Sequence, residues 1–327
     1  MKKKKHGAEL AFFAAILILV LVILYSGLQI LESTVLHSGQ DTAETFASKT
    51  ITRGGVDYFP RQDITTVLVM GIDQFGPAQD SGMYYNTGAA DMNILLIFDE
   101  VEKHCVVLHL NRDTMVEMPV LGIGGRQAGT QYAQLALAHT FGSGLEDSCL
   151  NARQTVSDLL YGVEIDYYVA MNMDAIAILN DAVGGVTVNV TEDFSAVDAS
   201  IQLGENTLRG QQAINYVRTR REVGDQMNLS RIERHKEYLN GFVDAFRKTR
   251  EEAPDFILQA YEDVQEYIVT DCSANAISGM VDRFSDFEIA QVVTPDGENV
   301  RGEEYMEFYL DEEKLDELIV NLFYAEK

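Results

Sequence analysis

Cysteine is scarce in this chain, with three in 327 residues, too few for a fold stapled by disulfides. Basic residues are scarce too: 25 Lys and Arg face 51 Asp and Glu, for a formal net charge of −26. A general nucleic-acid binder needs a broad basic face, so the deficit speaks against that class of partner. No internal repeat or low-complexity tract is present, and 46% of the residues are hydrophobic. That composition belongs to a packed globule, not to a disordered stalk. Of the cysteines, Cys105 lies in the apolar run K-H-C-V-V-L-H-L and reads as a buried thiol. Cys149 and Cys272 each follow an acidic-polar turn and precede a helix-like segment, so an oxidising exterior would allow them to pair.

Charge is also missing from the apolar run Leu10–Leu28, which follows Met1 and the lysines Lys2–Lys5. About 20 apolar residues suffice to span a bilayer as a helix, and lysines on the N-terminal flank hold that end in the cytoplasm. No small-x-small cleavage site follows. The expected layout is therefore a cytoplasmic tail (1–7), an uncleaved transmembrane signal-anchor (8–31) and a spacer rich in Ser, Thr, Gly and Gln (32–60). Residues 61–327 lie outside the cell membrane, enough for one large domain or two small ones.

Within that region strands and helices alternate irregularly, which predicts an α/β fold with a mixed central sheet flanked by helices. Short apolar runs at Thr65–Ile72, Asp91–Phe98 and Cys105–Leu110 read as buried strands. Gln74–Ala90, with its Gly, Pro, Ser and Asn, reads as loop. Helices are expected at Ser148–Tyr161, Asp174–Val183 (stopped by Gly184-Gly185), Leu208–Tyr216 and Ser230–Lys248, and strands at Ile165–Met171 and Val186–Val190. Two helical patterns follow Pro254. A strand at Phe287–Val293, a short strand near Glu307–Leu310 and a helix at Glu312–Phe323 close the chain.

The chemistry concentrates between Tyr216 and His235. Arg218, Arg220, Arg221, Arg231 and Arg234 fall within that one stretch of an acidic protein. Arg218 and Arg220 alternate, so an extended backbone would aim both to one side. Arg231, Arg234 and His235 have i, i+3, i+4 spacing, so a helix would present them on one face. Guanidinium groups converging in this way suit a phosphate, since each donates two parallel hydrogen bonds and stays charged. The plainer reading is a solvated helix face laced with Glu222, Asp225 and Glu233. Upstream, Asp73 ends one strand run, Asp91 opens the next, and Asn111-Arg112-Asp113-Thr114 ends the third. Carboxylates on adjacent strand ends suit a hard divalent cation shared with phosphate oxygens.

These pieces, in order, resemble the LytR–CpsA–Psr proteins of bacterial envelopes. The matching segments include G-I-D (Gly71–Asp73), A-D-M-N-I-L-L (Ala90–Leu96), N-R-D-T (Asn111–Thr114) and Q-L-A-L-A-H-T-F-G (Gln134–Gly142). N-D-A-V-G-G-V-T-V (Asn180–Val188), the stretch ending Y-V-R-T-R at Arg220, and S-R-I-E-R-H complete the series, over roughly 64–246. The resemblance implies a phosphotransferase that moves a glycopolymer from an undecaprenyl-pyrophosphate carrier onto peptidoglycan, forming a phosphodiester, with a dry pocket for the polyprenyl tail. By motif position it implies Asp73 and Asp91 as the carboxylates associated with Mg²⁺ (or Mn²⁺). Arg112, Arg218, Arg220, Arg231 and Arg234 occupy the places of pyrophosphate-contacting arginines, with His235 beside them. Asp113 and Asp225 occupy acidic places near the phosphates, and one of them would orient or deprotonate the acceptor hydroxyl.

The departures remove positive charge. Where the family commonly carries arginines beside its two aspartates, this chain has Gln74-Phe75 and Ala89; Ala136 replaces an Asn, and Arg234-His235 an Arg-Gln pair. Two other readings follow: a non-catalytic polyprenyl-phosphate-binding scaffold, which these losses favour, and a transcription regulator, which the acidity and the anchor disfavour.

Overall fold

The structure, a computed structural model, describes residues 50–122, 125–219, 223, 228–253, 256–272, 283–284, 287–303 and 305–326. The expected tail, the anchor and most of the spacer lie outside the described residues. Among the described residues no helix is long and apolar enough to cross a membrane. The fold is mixed α/β, and the described chain divides into two compact units. One runs to Ile72 and resumes over Gln79–Val169 and Val293–Lys327; the other combines Asp73–Ala78 with Ala170–Val292.

The first unit is rich in strands. β1 (Ile51–Arg53) and β2 (Val56–Pro60) form a small hairpin ahead of β3 (Ile64–Ile72), β4 (Ala90–Asp99) and β5 (His104–Leu110). β3 and β4 pair antiparallel from Ile64–Asp99 to Ile72–Ala90, and β4 continues antiparallel onto β5. Val67–Met70 and Leu95–Leu96 are wholly buried, so these runs are apolar without alternation, as strands covered on both faces must be. The β4–β5 turn is tied by Asp99, whose Oδ1 accepts from the amides of Val101 and Glu102, while Arg61 bonds Oδ2 at 2.5 Å.

A hairpin that the apolar pattern did not disclose follows: β6 (Met115–Leu121) and β7 (Gln127–Gln134). β7 is exposed over its first six residues, so no hydrophobic alternation marks it. A 3₁₀ turn (Leu135–Thr140) and helix α1 (Glu146–Leu159) cover the ladder, and β8 (Tyr167–Asn172) leads out of the unit. At the C-terminal end β13 (Gly297–Arg301) and β14 (Met306–Leu310) form a hairpin. Helix α6 (Glu312–Phe323), capped by Asp311 accepting from the Lys314 amide, then leads to β15 (Tyr324–Glu326), which pairs with β2.

The second unit is rich in helices. α2 (Met173–Ala182) stops at Gly184 and Gly185, at φ 79° and 90°, where a side chain would be strained. β9 (Val186–Val190) and β10 (Gly204–Leu208) pair antiparallel. α3 (Gln211–Arg218), α4 (Asn228–Glu252) and α5 (Phe256–Val264) follow, then β11 (Ile268–Thr270) and β12 (Glu288–Val293). α4 crosses β9 at Gly241, where an added Cβ would lie 2.2 Å from the Thr187 carbonyl oxygen. The core between them is a run of rings. Phe194 and Tyr216 stack at 5.4 Å, and Tyr238 stands next to Tyr216 and then Phe242.

One expectation is corrected, and the open question of the cysteine pair is answered. Arg218 is the last residue of helix α3 rather than part of a strand end, and that helix begins at Gln211 because Leu208 belongs to β10 and Gly210 makes the turn at φ 47°. Cys149 and Cys272 form no disulfide; both are buried in their own units, as is Cys105. Burial pushes the Cys105 and Cys272 thiols up to about 12.

Candidate functional site

In the strand-rich unit the chain turns sharply after β5. Asn111 makes that turn: its side-chain oxygen accepts from the Asp113 amide at 3.0 Å, and its carbonyl accepts from the Thr114 hydroxyl at 2.7 Å. The amides of Ala136 and Leu135, in the 3₁₀ turn, bond the carbonyls of Arg112 and Thr114. Arg112 and Asp113 are thereby fixed at the strand end. The Arg112 guanidinium meets Asp91 Oδ2 through Nη1 at 2.7 Å and lies 3.5 Å through Nε from Asp113 Oδ1. Nε is buried and has no hydrogen-bond partner among the described residues. Asp113 also accepts at 2.9 Å from Gln134 Nε2, which donates to the Met306 carbonyl as well. Each of the three charged side chains is about one-third exposed. An incoming anion could therefore reach them and compete for the guanidinium.

The loop that delivers Asp91 to this cluster is held from below by buried polar groups. Asn86 Nδ2 donates to the carbonyls of His139 and Gly142 and to Ser148 Oγ, and Asn86 Oδ1 accepts from the Gly88 amide. His139 Nδ1 lies 2.7 Å from the Gly88 carbonyl, and Nε2 lies 3.8 Å from Cys149 Sγ. Burial lowers the affinity of the His139 ring for a proton. The neutral tautomer with a proton on Nδ1 satisfies the carbonyl and leaves Nε2 to accept from the thiol.

In the helix-rich unit Asp73 Oδ1 accepts from Arg218 Nη2 at 3.2 Å, and the same guanidinium lies 5.2 Å from the centre of the Phe75 ring. The loop beneath is tied to α2. The Gly76 amide donates to Asp174 Oδ2, Asn172 Nδ2 to the Gly76 carbonyl, and the Met173 amide to the Gln74 carbonyl. Arg234 is placed quite differently, with 4% of its side chain exposed. Nη1 bonds Glu192 at 2.5 Å, Nε bonds the Tyr216 carbonyl, Nη2 bonds the Thr219 carbonyl, and the group lies over the Phe194 ring. Its donors thus face the protein and clamp the C-terminal end of α3, where Arg218 stands. Arg220 and Asp225 lie outside the described residues. Arg231 and His235 are carried by α4, and their side chains are outside the described set.

The sequence therefore pointed to Asp91, Arg112 and Asp113, which one cluster brings together, and to Asp73 and Arg218, which pair in another. Gln134, Asn86 and His139 were overlooked as supports. Gln134 and His139 stand in the Q-L-A-L-A-H-T-F-G segment, but only their long-range partners disclose what they do.

Comparison with known proteins bears on the family and the fold. The sequence profile of the LytR_cpsA_psr family matches residues 30–323. Polyisoprenyl-teichoic acid--peptidoglycan teichoic acid transferase TagT of Bacillus subtilis (strain 168) is 27% identical over 216 residues, covering 64% of this chain and 59% of its own. The TagU transferase of Enterococcus faecalis (strain ATCC 700802 / V583) is 30% identical over 178 residues, covering 54% and 52%. The chain thus spans only half to three-fifths of these curated relatives. A solved structure of TagT bound to LI-WTA superposes with a TM-score of 0.56 at 23% identity, over 80% of this chain and 90% of that one. That likeness bears on the fold alone.

Proposed function

This chain belongs to the LytR_cpsA_psr family, and we propose that it transfers a cell-envelope glycopolymer from an undecaprenyl-pyrophosphate carrier to a peptidoglycan hydroxyl. The acceptor oxygen bonds the phosphorus that carries the glycan. The bridging P–O bond to polyprenyl phosphate breaks, and the hydroxyl proton passes to a carboxylate. The observation that carries this reading is Arg112, held in advance between Asp91 and Asp113 yet about one-third exposed. With that part of its side chain exposed, Arg112 can meet a phosphate oxygen, and a guanidinium fixed in advance stabilises charge developing on phosphate. Asp113, fastened by Gln134, is the carboxylate assigned to the acceptor hydroxyl, with Asp225 as the other candidate. Arg218, Arg220 and Arg231, with His235, are assigned to the pyrophosphate, and Arg234 to bracing the end of α3.

Asp73 and Asp91 supply hard oxygen donors of the kind that Mg²⁺ or Mn²⁺ prefers, and such ions are commonly completed by substrate phosphate. Among the described residues no group of three or more His, Cys, Asp and Glu side chains gathers; in this proposal substrate phosphate oxygens complete the coordination. When bound, the ion would neutralise charge on the pyrophosphate. The run of apolar residues after Lys2–Lys5 supports a single membrane anchor with the catalytic region outside. The test is binding of a polyprenyl pyrophosphate with and without Mg²⁺. Wild type should bind at least tenfold tighter with the ion, a gain of about 1.4 kcal/mol, and Asp73→Asn or Asp91→Asn should abolish that gain. An equal gain in both variants would refute the assignment.

One observation favours the scaffold reading: Phe75 stands where the family has a cation, and its ring takes up a face of Arg218. Tight lipid binding without turnover would establish that alternative.

A further inference from the structure

Beside Asp113 the strand-rich unit carries an exposed aromatic face that neither the transfer chemistry nor the core uses. Its orientation follows from strand register. Thr114 and Phe308 form a parallel bridge between the chain entering β6 and β14, and both are buried, at 1% and 7% exposure. Side chains alternate along a strand, so the next residues, Met115 and Tyr309, point outward together. Across β6–β7, Met115 stands opposite Gln134 and Glu117 opposite Tyr132. Tyr132 thus shares the face of Tyr309, and at its inner end Gln134 turns under to bond Asp113. The two rings are solvated, at 59% and 40% exposure. The Thr114–Phe308 bridge sets β14 beside the start of β6, and the Glu307 hydrogen bond holds the Tyr309 hydroxyl protonated above its ordinary range.

Carboxylates rim the rings. Glu307 accepts from the Tyr309 hydroxyl at 2.7 Å, Glu117 accepts from Thr130 at 2.6 Å, and Glu298 lies opposite Tyr309 on β13. Exposed aromatics grouped on one sheet face mark a contact surface. The rim chooses among occupants: three carboxylates repel a phosphate-bearing polymer, whereas a sugar hydroxyl can donate to them. The C–H face of a pyranose carries the slight positive charge that the negative face of a phenol ring attracts.

We infer that the Tyr132–Tyr309 face binds a neutral pyranose chain, the acceptor glycan, and lays its hydroxyl toward Asp113. The inference rests on the transfer reading only for calling that chain the acceptor; the binding surface stands on its own geometry. The test uses the full chain in detergent micelles, titrated by calorimetry. The probes are a neutral N-acetylglucosamine tetramer, poly(glycerol phosphate) and an oligolysine peptide. Wild type should bind the tetramer, saturably and in preference to the other two. Tyr132→Ala and Tyr309→Ala should each weaken it about tenfold. Tyr309→Phe, which keeps the ring, should lose no more than a few-fold, and Tyr161→Ala, exposed at the end of α1, should change nothing. In transfer assays the alanine variants should raise KM for acceptor and leave kcat and the donor KM alone. If an alanine variant melts early, Tyr132→Leu and Tyr309→Leu, which keep bulk and lose the ring, decide the matter in the same titration. Unchanged tetramer binding in the ring-less variants, or preferential binding of the phosphate polymer or the peptide, overturns the inference. Ring-dependent tetramer binding by a chain that transfers nothing upholds the platform and refutes the transfer reading instead.

Discussion

Two arginines of one motif should respond oppositely to removal. Arg234 is buried, paired with Glu192 at 2.5 Å and bonded to two backbone carbonyls at the end of α3. Replacing it by Met fills the space but leaves Glu192, itself only 17% exposed, as a nearly buried carboxylate without its partner. Breaking such a pair costs about 3–5 kcal/mol, which for a domain of this size lowers Tm by roughly 10 °C. Arg234→Lys keeps the charge near Glu192 yet cannot reach both carbonyls, so its loss should be about half as large. Arg218, by contrast, is 51% exposed and its Asp73 partner 38%. Solvent screens that pair, and Arg218→Met should cost no more than about 1 kcal/mol while impairing pyrophosphate binding. Urea unfolding and calorimetry of the three purified variants would measure both effects. An Arg234→Met protein as stable as wild type would refute the reasoning, as would equal destabilisation by Arg218→Met.

Two further outcomes are expected. Since burial lowers proton affinity at His139, the unfolded chain takes up that proton first as the pH falls through about 6.5, and the folded state loses stability by up to about 1.4 kcal/mol per unit. The urea midpoint should thus fall more steeply between pH 7.5 and 5.5 in wild type than in His139→Asn, and identical slopes would contradict the assignment. Gly241→Ala drives a Cβ against the Thr187 carbonyl oxygen and should cost about 1–3 kcal/mol by overpacking; an unchanged melting temperature would show that α4 shifts freely.

How legible the fold was depended on how its segments are buried. β3, β4 and β5 stood out because strands covered on both faces are continuous apolar runs, and α6 occupies the expected Glu312–Phe323 because its apolar spacing starts just after the Asp311 cap. β7 left no mark, since its first six residues are all exposed and its pairing with β6 rests on backbone bonds that any residue type can make. The alternation of Arg218 and Arg220 suggested extended chain, yet α3 runs through Arg218 into a cap that Arg234 clamps from another helix. At the site, Asp91 and Arg112-Asp113 were readable because charged residues at the ends of apolar strands have few structural reasons to be there. Gln134 was not, because its partners are Asp113 and the distant Met306. Asn86 was hidden likewise: it sits in a loop whose composition signals only turns, and the acceptors around its Nδ2 lie far along the chain, between His139 and Ser148.

The central claim is transfer, and the product bond tests it most directly. Purified wild-type chain would be incubated with a glycan-bearing polyprenyl pyrophosphate, peptidoglycan oligomers and Mg²⁺, and the oligomers analysed by mass spectrometry for a new phosphodiester. Glycan joined to the oligomer through one phosphate, with polyprenyl phosphate released in equal amount, is the predicted result. Arg112→Lys and Asp113→Asn should each slow its appearance about a hundredfold or more, equivalent to roughly 3 kcal/mol of lost transition-state stabilisation. Phosphodiester formation at the wild-type rate in both variants, or none from wild type that nevertheless binds the lipid tightly, would contradict the account.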